Sequence, residues 1–345
     1  MANTYKSKHE RDFFEKEKTI DVIKNSNSAI LRIKDMVDFE MFRPTLEAAV
    51  LNKNKGKRGA KPYDLVLLLK MSYLQEIHNL SYKQTEKECI DRYSFRDFLD
   101  IDNLKDIPDA NSLWNFHQKL EKNDVMRQIF DKLHSLLEEE GVILNEGKIV
   151  DATRITVPKK HKKTKRYAEN NTIDNDENDK KIKENSASWT KKHGKSYFGF
   201  KNHIKIDAKS KFIDTYEVTT ASTHDSKVLE KLLEKSDRGQ KLYADSAYIC
   251  QPIKKMLNKY GMKSFILRKG YRNKPLRVAQ KIINRLRSKI RVRVEHVFGF
   301  MENSMHGKHR RVQNLKAMRT RVGLMNSCYN MCRYVQIKRL KLLGA

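Results

Sequence analysis

Three acidic residues stand where carboxylates are costly. Asp151 interrupts the β-branched stretch KIVDATRITV, and Asp245 closes KLYAD. Glu295 lies in RVRVEHVFGF, and from residue 251 to the end there are 25 Lys and Arg but only two acids, Glu295 and Glu302. Asp is disfavoured inside strands, and a carboxylate among buried apolar side chains needs a partner. Three carboxylates around one pocket make a hard-cation site suited to Mg²⁺ or Mn²⁺, which keep waters and accept phosphate oxygens. Two such ions about 3.5 to 4 Å apart clamp the attacking and leaving oxygens of an in-line phosphoryl transfer. Each acid also has a local alternative. Asp151 can pair with Arg154, Asp245 can open a turn with Ser246, and Glu295 can pair with Arg291 one helical turn earlier.

For the acids to meet, two adjacent strands must bring Asp151 and Asp245 to one edge of a sheet, with a helix across that edge carrying Glu295. The chain has the elements for this. After the helical first part, the pattern changes from helix to strand near residue 148, and KIVDATRITV alternates as a strand should. SYFGFKNHIKIDAKSKFIDTYEVTTAS reads as two strands around a turn at 207–211, THDSKVLEKLLEKS as a capped helix, and KLYADSAY and SFILRK as further strands. One long helix from Gln280 is expected to carry an apolar stripe of Ile282, Leu286, Ile290, Val294, Val297 and Met301, and a last helix to run from about Leu315 to about Ile337. Residues 158–196 are charged and nearly free of aliphatic side chains, which predicts a flexible basic insertion.

The first 145 residues read as an all-helical module. Leu65, Leu68, Leu69 and Tyr73 follow a helical period after Pro62, Ser81 and Gln84 form a capping box, and Gly141 ends the last helix. The helix NSLWNFHQKLEK, with Ser112, Asn115, His117, Gln118 and Lys119 as reaching polar residues, suits a helix-turn-helix-like DNA reader; a plain packing bundle fits the pattern equally.

Of the formal net charge of +29, +23 falls in the last 95 residues. That asymmetry is the electrostatic footprint of a protein that binds a polyanion, with nucleic acid favoured over an anionic membrane. No apolar run approaches the roughly 20 residues of a spanning helix, and MANTYKSKHERDFFEK has no apolar signal core, so a cytoplasmic protein is expected. The four cysteines are too few for a disulfide framework, and Cys328 and Cys332 are read as core thiols.

IVDATRI, GFKNHIKIDAKSKFI, TTASTHDSKVLEKLL, YADSAY and RVRVEHVFGF, in this order, resemble the catalytic domain of bacterial insertion-sequence transposases with an Asp-Asp-Glu triad, in the group named after insertion sequence five. The stretch from Pro62 to about Leu120 resembles that family's helical N-terminal region. The resemblance implies an α/β chain: a helical, DNA-binding domain over 1–145, then an RNase H-like catalytic domain over 146–345 with a central mixed sheet and a basic helical tail. It implies Asp151, Asp245 and Glu295 as catalytic residues and metal ligands, use of two Mg²⁺ or Mn²⁺ ions, cleavage at transposon ends, and attack of the freed 3′-hydroxyl on target DNA. Arg291 would hold the scissile strand, with Lys201, His203, Lys308, Arg310 and Arg311 as further DNA contacts and Trp189 ordering only on DNA. Terminal inverted repeats and target DNA are the implied partners, a dimer or larger assembly the implied state, and the nucleoid the implied location. The family's pattern of tyrosine, two residues, arginine, three residues, glutamate, six residues, lysine is matched at Arg291 and Glu295. Ser288 replaces the tyrosine and Glu302 the lysine, for which Lys308 or Arg310 would substitute. A transposase-derived DNA-binding protein without activity, or a general RNase H-like nuclease, fits the same residues.

Overall fold

The computed structural model describes residues 20–22, 28–50, 61–122, 124–159, 186–192, 194–272 and 274–342. Among the described residues the first part is helical and includes α1 (Ala29–Met36), α2 (Arg43–Val50), α3 (Leu65–Ile77), α4 (Tyr82–Asp91), α5 (Tyr93–Leu99), α6 (Ala110–Lys122) and α7 (Val125–Glu139). Local chemistry sets their ends. Asp64 accepts from the backbone N–H of Val66 and Leu67 to start α3, and the Ser81–Gln84 capping box starts α4. Gly141, at φ +66°, follows α7 in the left-handed conformation that favours glycine.

The sheet is mixed. Strand β1 (Lys148–Thr156) pairs antiparallel with β3 (Lys195–Asp207), which pairs antiparallel with β4 (Ile213–Thr220). On the other side β1 runs parallel to β5 (Lys241–Tyr243), and β5 parallel to β6 (Lys263–Ser264). Strand β2 (Ser188–Lys192) folds back antiparallel on the start of β3. Gly199 faces Thr156 in this register, and a Cβ there would lie 2.0 Å from the Ile155 carbonyl oxygen, so the close approach of β3 to β1 requires glycine. A mixed α/β architecture with a helical N-terminal part is thus what the structure shows.

Alternation along β1 sends Ile149 and Ile155 to the main core, and with them the face of Asp151; Val150 points to a second cluster. That second cluster is built with α8 (Leu229–Leu232) and α9 (Gln251–Lys259). The main core includes α11 (Arg293–Asn303) and α12 (Leu315–Leu340). Helix α12 is buried over most of its length and packs against α1, α3, α6, α7 and β4. Its buried asparagines are satisfied by the sheet: Asn326 pairs with Asn202 (2.9 Å), and Asn330 bonds both the N–H and the carbonyl of Ile213 (2.9 Å each). The N-terminal helices and the sheet therefore share one core, with α12 as its axis.

Several expectations change. Helix α3 is buried on nearly every face rather than on one stripe. The single long helix is two, α10 (Val278–Arg291) and α11, meeting at Val292. Ile282 and Leu286 are exposed, because a strict four-residue spacing drifts about 40° per step around α10, away from the face on which Ile290 is partly buried. Val294 and Val297 are buried on α11, beyond the break. The capped helix shrinks to a 3-10 turn at Asp225–Lys227, started by the His224 side chain, and the four-residue α8. SFILRK contributes only Ser264, the second residue of the two-residue β6. Of the expected flexible insertion, β2 and the start of β3 are regular strand, and Trp189 lies in β2 beside Phe198 at 5.2 Å between ring centroids; residues 160–185 fall outside the described residues.

Candidate active site

Asp151 sits mid-way along β1, flanked on both sides by paired strand, so its position is set by the most central element of the sheet. Asp245 does not lie in a strand: it follows β5 and caps the 3-10 turn Ser246–Tyr248 through the N–H of Ser246. This is the turn chemistry foreseen as its local alternative. Glu295 is in the first turn of α11, where a carboxylate also favours the helix dipole.

One side chain ties two of these acids together. Arg291, the last residue of α10, donates from Nη1 to Asp151 Oδ2 and from Nη2 to Glu295 Oε1, each at 2.9 Å. The pairing of Glu295 with Arg291 holds as the local alternative predicts, whereas Asp151 turns to Arg291 and not to Arg154, whose guanidinium lies 4.2 Å from the Tyr197 ring centroid. Burial raises the Asp151 carboxyl above the usual carboxylate range. The Ala152 N–H and Arg291 oppose this, and the charges of Asp245 and Asp225 reinforce it. Asp151 thus feels the charge of Asp245, which follows the end of β5, the strand parallel to β1. Among the described residues no three His, Cys, Asp or Glu side chains converge closely enough to hold an ion, and a guanidinium joins Asp151 to Glu295.

Two residues of the neighbourhood escape sequence reasoning. Asp225, read as a helix cap, accepts from Lys201 Nζ at 2.9 Å, and its turn packs against the turn that follows Asp245. Tyr248, three residues after Asp245, is buried with no partner for its hydroxyl among the described residues; burial raises its pKa far above normal, and the charges of Asp225, Asp151 and Asp245 add to the effect. A usable signal existed for Asp225 only in its nearness to a histidine in THDSK, and for Tyr248 in its closeness to Asp245.

The expected DNA contacts divide. Lys201 is held by Asp225 and by the Thr223 carbonyl (2.7 Å). His203 is fully buried, with Nε2 at 2.8 Å from Thr219 Oγ1, and burial lowers its pKa to about 4, so it does not reach the surface as expected. Arg310 is likewise interior, paired with Glu76 and Asn79 of the helical part. His117, read as a reaching residue, is buried between Tyr82 and Ser72. Lys308 and Arg311 are exposed; Lys308 pairs with Glu302, which brings a cation to the place where the family pattern has its lysine.

Oxygen-only donors are the chemistry a hard divalent cation takes, but here the Arg291 guanidinium stands between Asp151 and Glu295, so the acids fit such an ion in type and not in their present spacing. Asp151 is a half-buried carboxylate near like charges, Glu295 is exposed, and the Tyr248 hydroxyl has no partner among the described residues. Against this geometry, residues 144–331 match the family model described as Transposase DDE domain, and residues 18–119 match one described as Transposase domain (DUF772). The chain belongs to the transposase DDE domain family. It is therefore a transposase enzyme by family, and DDE domains of this kind generally use divalent metal ions. Among solved structures, a piggyBac transposase synaptic complex with hairpin DNA is similar at 10% identity, covering 91% of this chain and 76% of that one, with a TM-score of 0.49. The Mos1 strand transfer complex is similar at 11% identity, covering 83% and 79%, with a TM-score of 0.27. No helix among the described residues of this transposase is long and apolar enough to cross a membrane.

Proposed function

We propose that this transposase cleaves DNA strands at the ends of its own element and joins the freed 3′-hydroxyl to target DNA, with Asp151, Asp245 and Glu295 as the catalytic carboxylates. The observation that carries this reading is the single guanidinium spanning Asp151 and Glu295, beside a third acid whose charge Asp151 feels. Two Mg²⁺ or Mn²⁺ ions held by the three carboxylates would supply the charge that stabilises the attacking and leaving oxygens.

The residues of the chain do the rest. Asp151, fixed by β1, sets the position of the site, while Asp245 and Glu295 close it from the turn after β5 and from α11. Arg291 has the planar, two-pronged donor geometry that grips phosphate as readily as carboxylate, so it orients the scissile strand once released from the acids. Lys308, standing at Glu302, offers a second phosphate contact, and Arg311 a third. The helical part over 1–145 serves as the DNA-reading domain, the assembly on DNA is a dimer or larger, and the element is of the bacterial group named after insertion sequence five.

Strand cleavage of duplexes carrying the element's terminal repeats, in Mg²⁺ or Mn²⁺, tests this. The parent should cut at the ends, and Asp151→Asn and Glu295→Gln should lose that cutting. Variants that cut as the parent does would refute the assignment. Tight binding without cleavage would select a transposase-derived DNA-binding protein, a reading favoured only by Ser288 and Glu302.

A further inference from the structure

No acidic residue lies between Asp245 and Glu295, and α10 is the longest element of that stretch. It carries two exposed stripes. Val278, Ile282 and Leu286 recur every four residues and are 74%, 56% and 58% exposed. Lys281, Arg285 and Lys289 recur at the same spacing, each three residues after an aliphatic one, so the cations stand beside the apolar row. All three cations are exposed, and none joins an ion pair among the described residues.

The opposite side of α10 is anchored. Asn284 bonds the backbone N–H and carbonyl of Arg268 (3.0 and 2.9 Å), and Arg287 donates to the Ile266 carbonyl (2.9 Å). The helix is thus held along one face and open along the other. Before it comes a turn in which Tyr271 bridges to Lys274 and stands 64% exposed. The helix ends at Arg291, in the site itself.

Cations held side by side, with no acid near them in the sequence and no ion pair among the described residues, repel one another until a polyanion arrives. A second copy laid face to face would add to that repulsion. An acidic protein helix would satisfy the charge, but only a phosphate chain also accounts for continuity with Arg291. We propose that α10 is a docking rail for the duplex being cut: one strand runs from the site along α10, its phosphates met by Lys289, Arg285 and Lys281. The aliphatic row lies against sugars and thymine methyls, and Tyr271 stacks at the far end. Fourteen residues span about 21 Å, or about six base pairs from the scissile phosphate. This rests on the proposed DNA-cleaving role of the site.

The test is the salt dependence of binding by the full chain to a duplex carrying the element's ends. Replacing Lys281, Arg285 and Lys289 together by alanine should reduce the slope of log K against log salt by about 2.7, near 0.9 per lost phosphate contact. Ile282→Ser with Leu286→Ser should weaken binding and leave the slope as it was. All these side chains are exposed, so the thermal melt should not move. An unchanged slope in the triple variant overturns the proposal. So does a change of oligomeric state in the serine pair with DNA binding intact, which would assign the face to a protein partner. Full-length protein that docks DNA on α10 but cuts normally as Asp151→Asn would instead sink the reading of the site and leave the rail standing.

Discussion

Arg291 Nη1 lies 2.9 Å from Asp151 Oδ2, and the side chains are only about one-fifth exposed (20% and 23%). The guanidinium occupies the role of a counter-cation for a carboxylate that burial would otherwise leave costly. In the proposed mechanism, cation loading and phosphate capture both draw on this residue, because Arg291 would leave the acids on turning to a phosphate.

Arg291→Gln should lower the metal-free unfolding free energy by about 1 kcal/mol, a modest value because the pair is partly screened. Millimolar Mn²⁺ should restore most of the loss, while cleavage falls by about 100-fold or more because the phosphate clamp is gone. Urea unfolding with and without Mn²⁺ checks the first part. A variant as stable as the parent without metal would show that the bridge contributes nothing.

The helical part is tied to the catalytic part by a buried ionic knot. Arg310 pairs with Glu76, and Arg321 Nε stands 3.1 Å from the same carboxylate. Glu76 is the shared partner of both guanidiniums, so Glu76→Gln, which leaves two cations without it, should cost about 3 to 5 kcal/mol. Glu76→Gln with Arg310→Met, which removes the more buried of the two cations as well, should cost less than Glu76→Gln alone. Chemical denaturation of the two variants measures this, and a double variant worse than Glu76→Gln would contradict it.

His117 gives the fold a pH dependence. Burial, then the nearby charge of Arg321, lowers its pKa well below that of a free histidine. It stays neutral in the folded chain while the unfolded chain takes up a proton near pH 6.5, so its contribution is intact above that pH and is lost as pH falls toward the depressed folded value. The denaturation midpoint should drop as pH falls below 6.5. His117→Gln should flatten that drop at some cost in stability at pH 8, and an equal slope in both proteins would contradict the assignment.

Sequence patterns revealed the local features. The Ser81–Gln84 box, the long closing helix and the strand around Asp151 follow from periodicity and caps, which depend on near neighbours. What escaped depends on partners far away in sequence. His203, Arg310 and His117 are polar residues that look exposed until Thr219, Glu76 and Ser72 meet them in the interior. The turn that carries Asp225 reaches the acid cluster only because the chain folds it against the turn after Asp245. Ile282 and Leu286 matched an apolar stripe by spacing, but helical drift turned them to solvent.

The central claim is that Asp151, Asp245 and Glu295 jointly hold catalytic cations. Titration of Mn²⁺ into the transposase bound to an end-bearing duplex, followed by electron paramagnetic resonance, tests it most directly. The parent should take up about two ions per site, and Asp151→Asn, Asp245→Asn and Glu295→Gln should each lose at least one of them or weaken its binding severely. Equal uptake by the parent and all three variants would contradict the account.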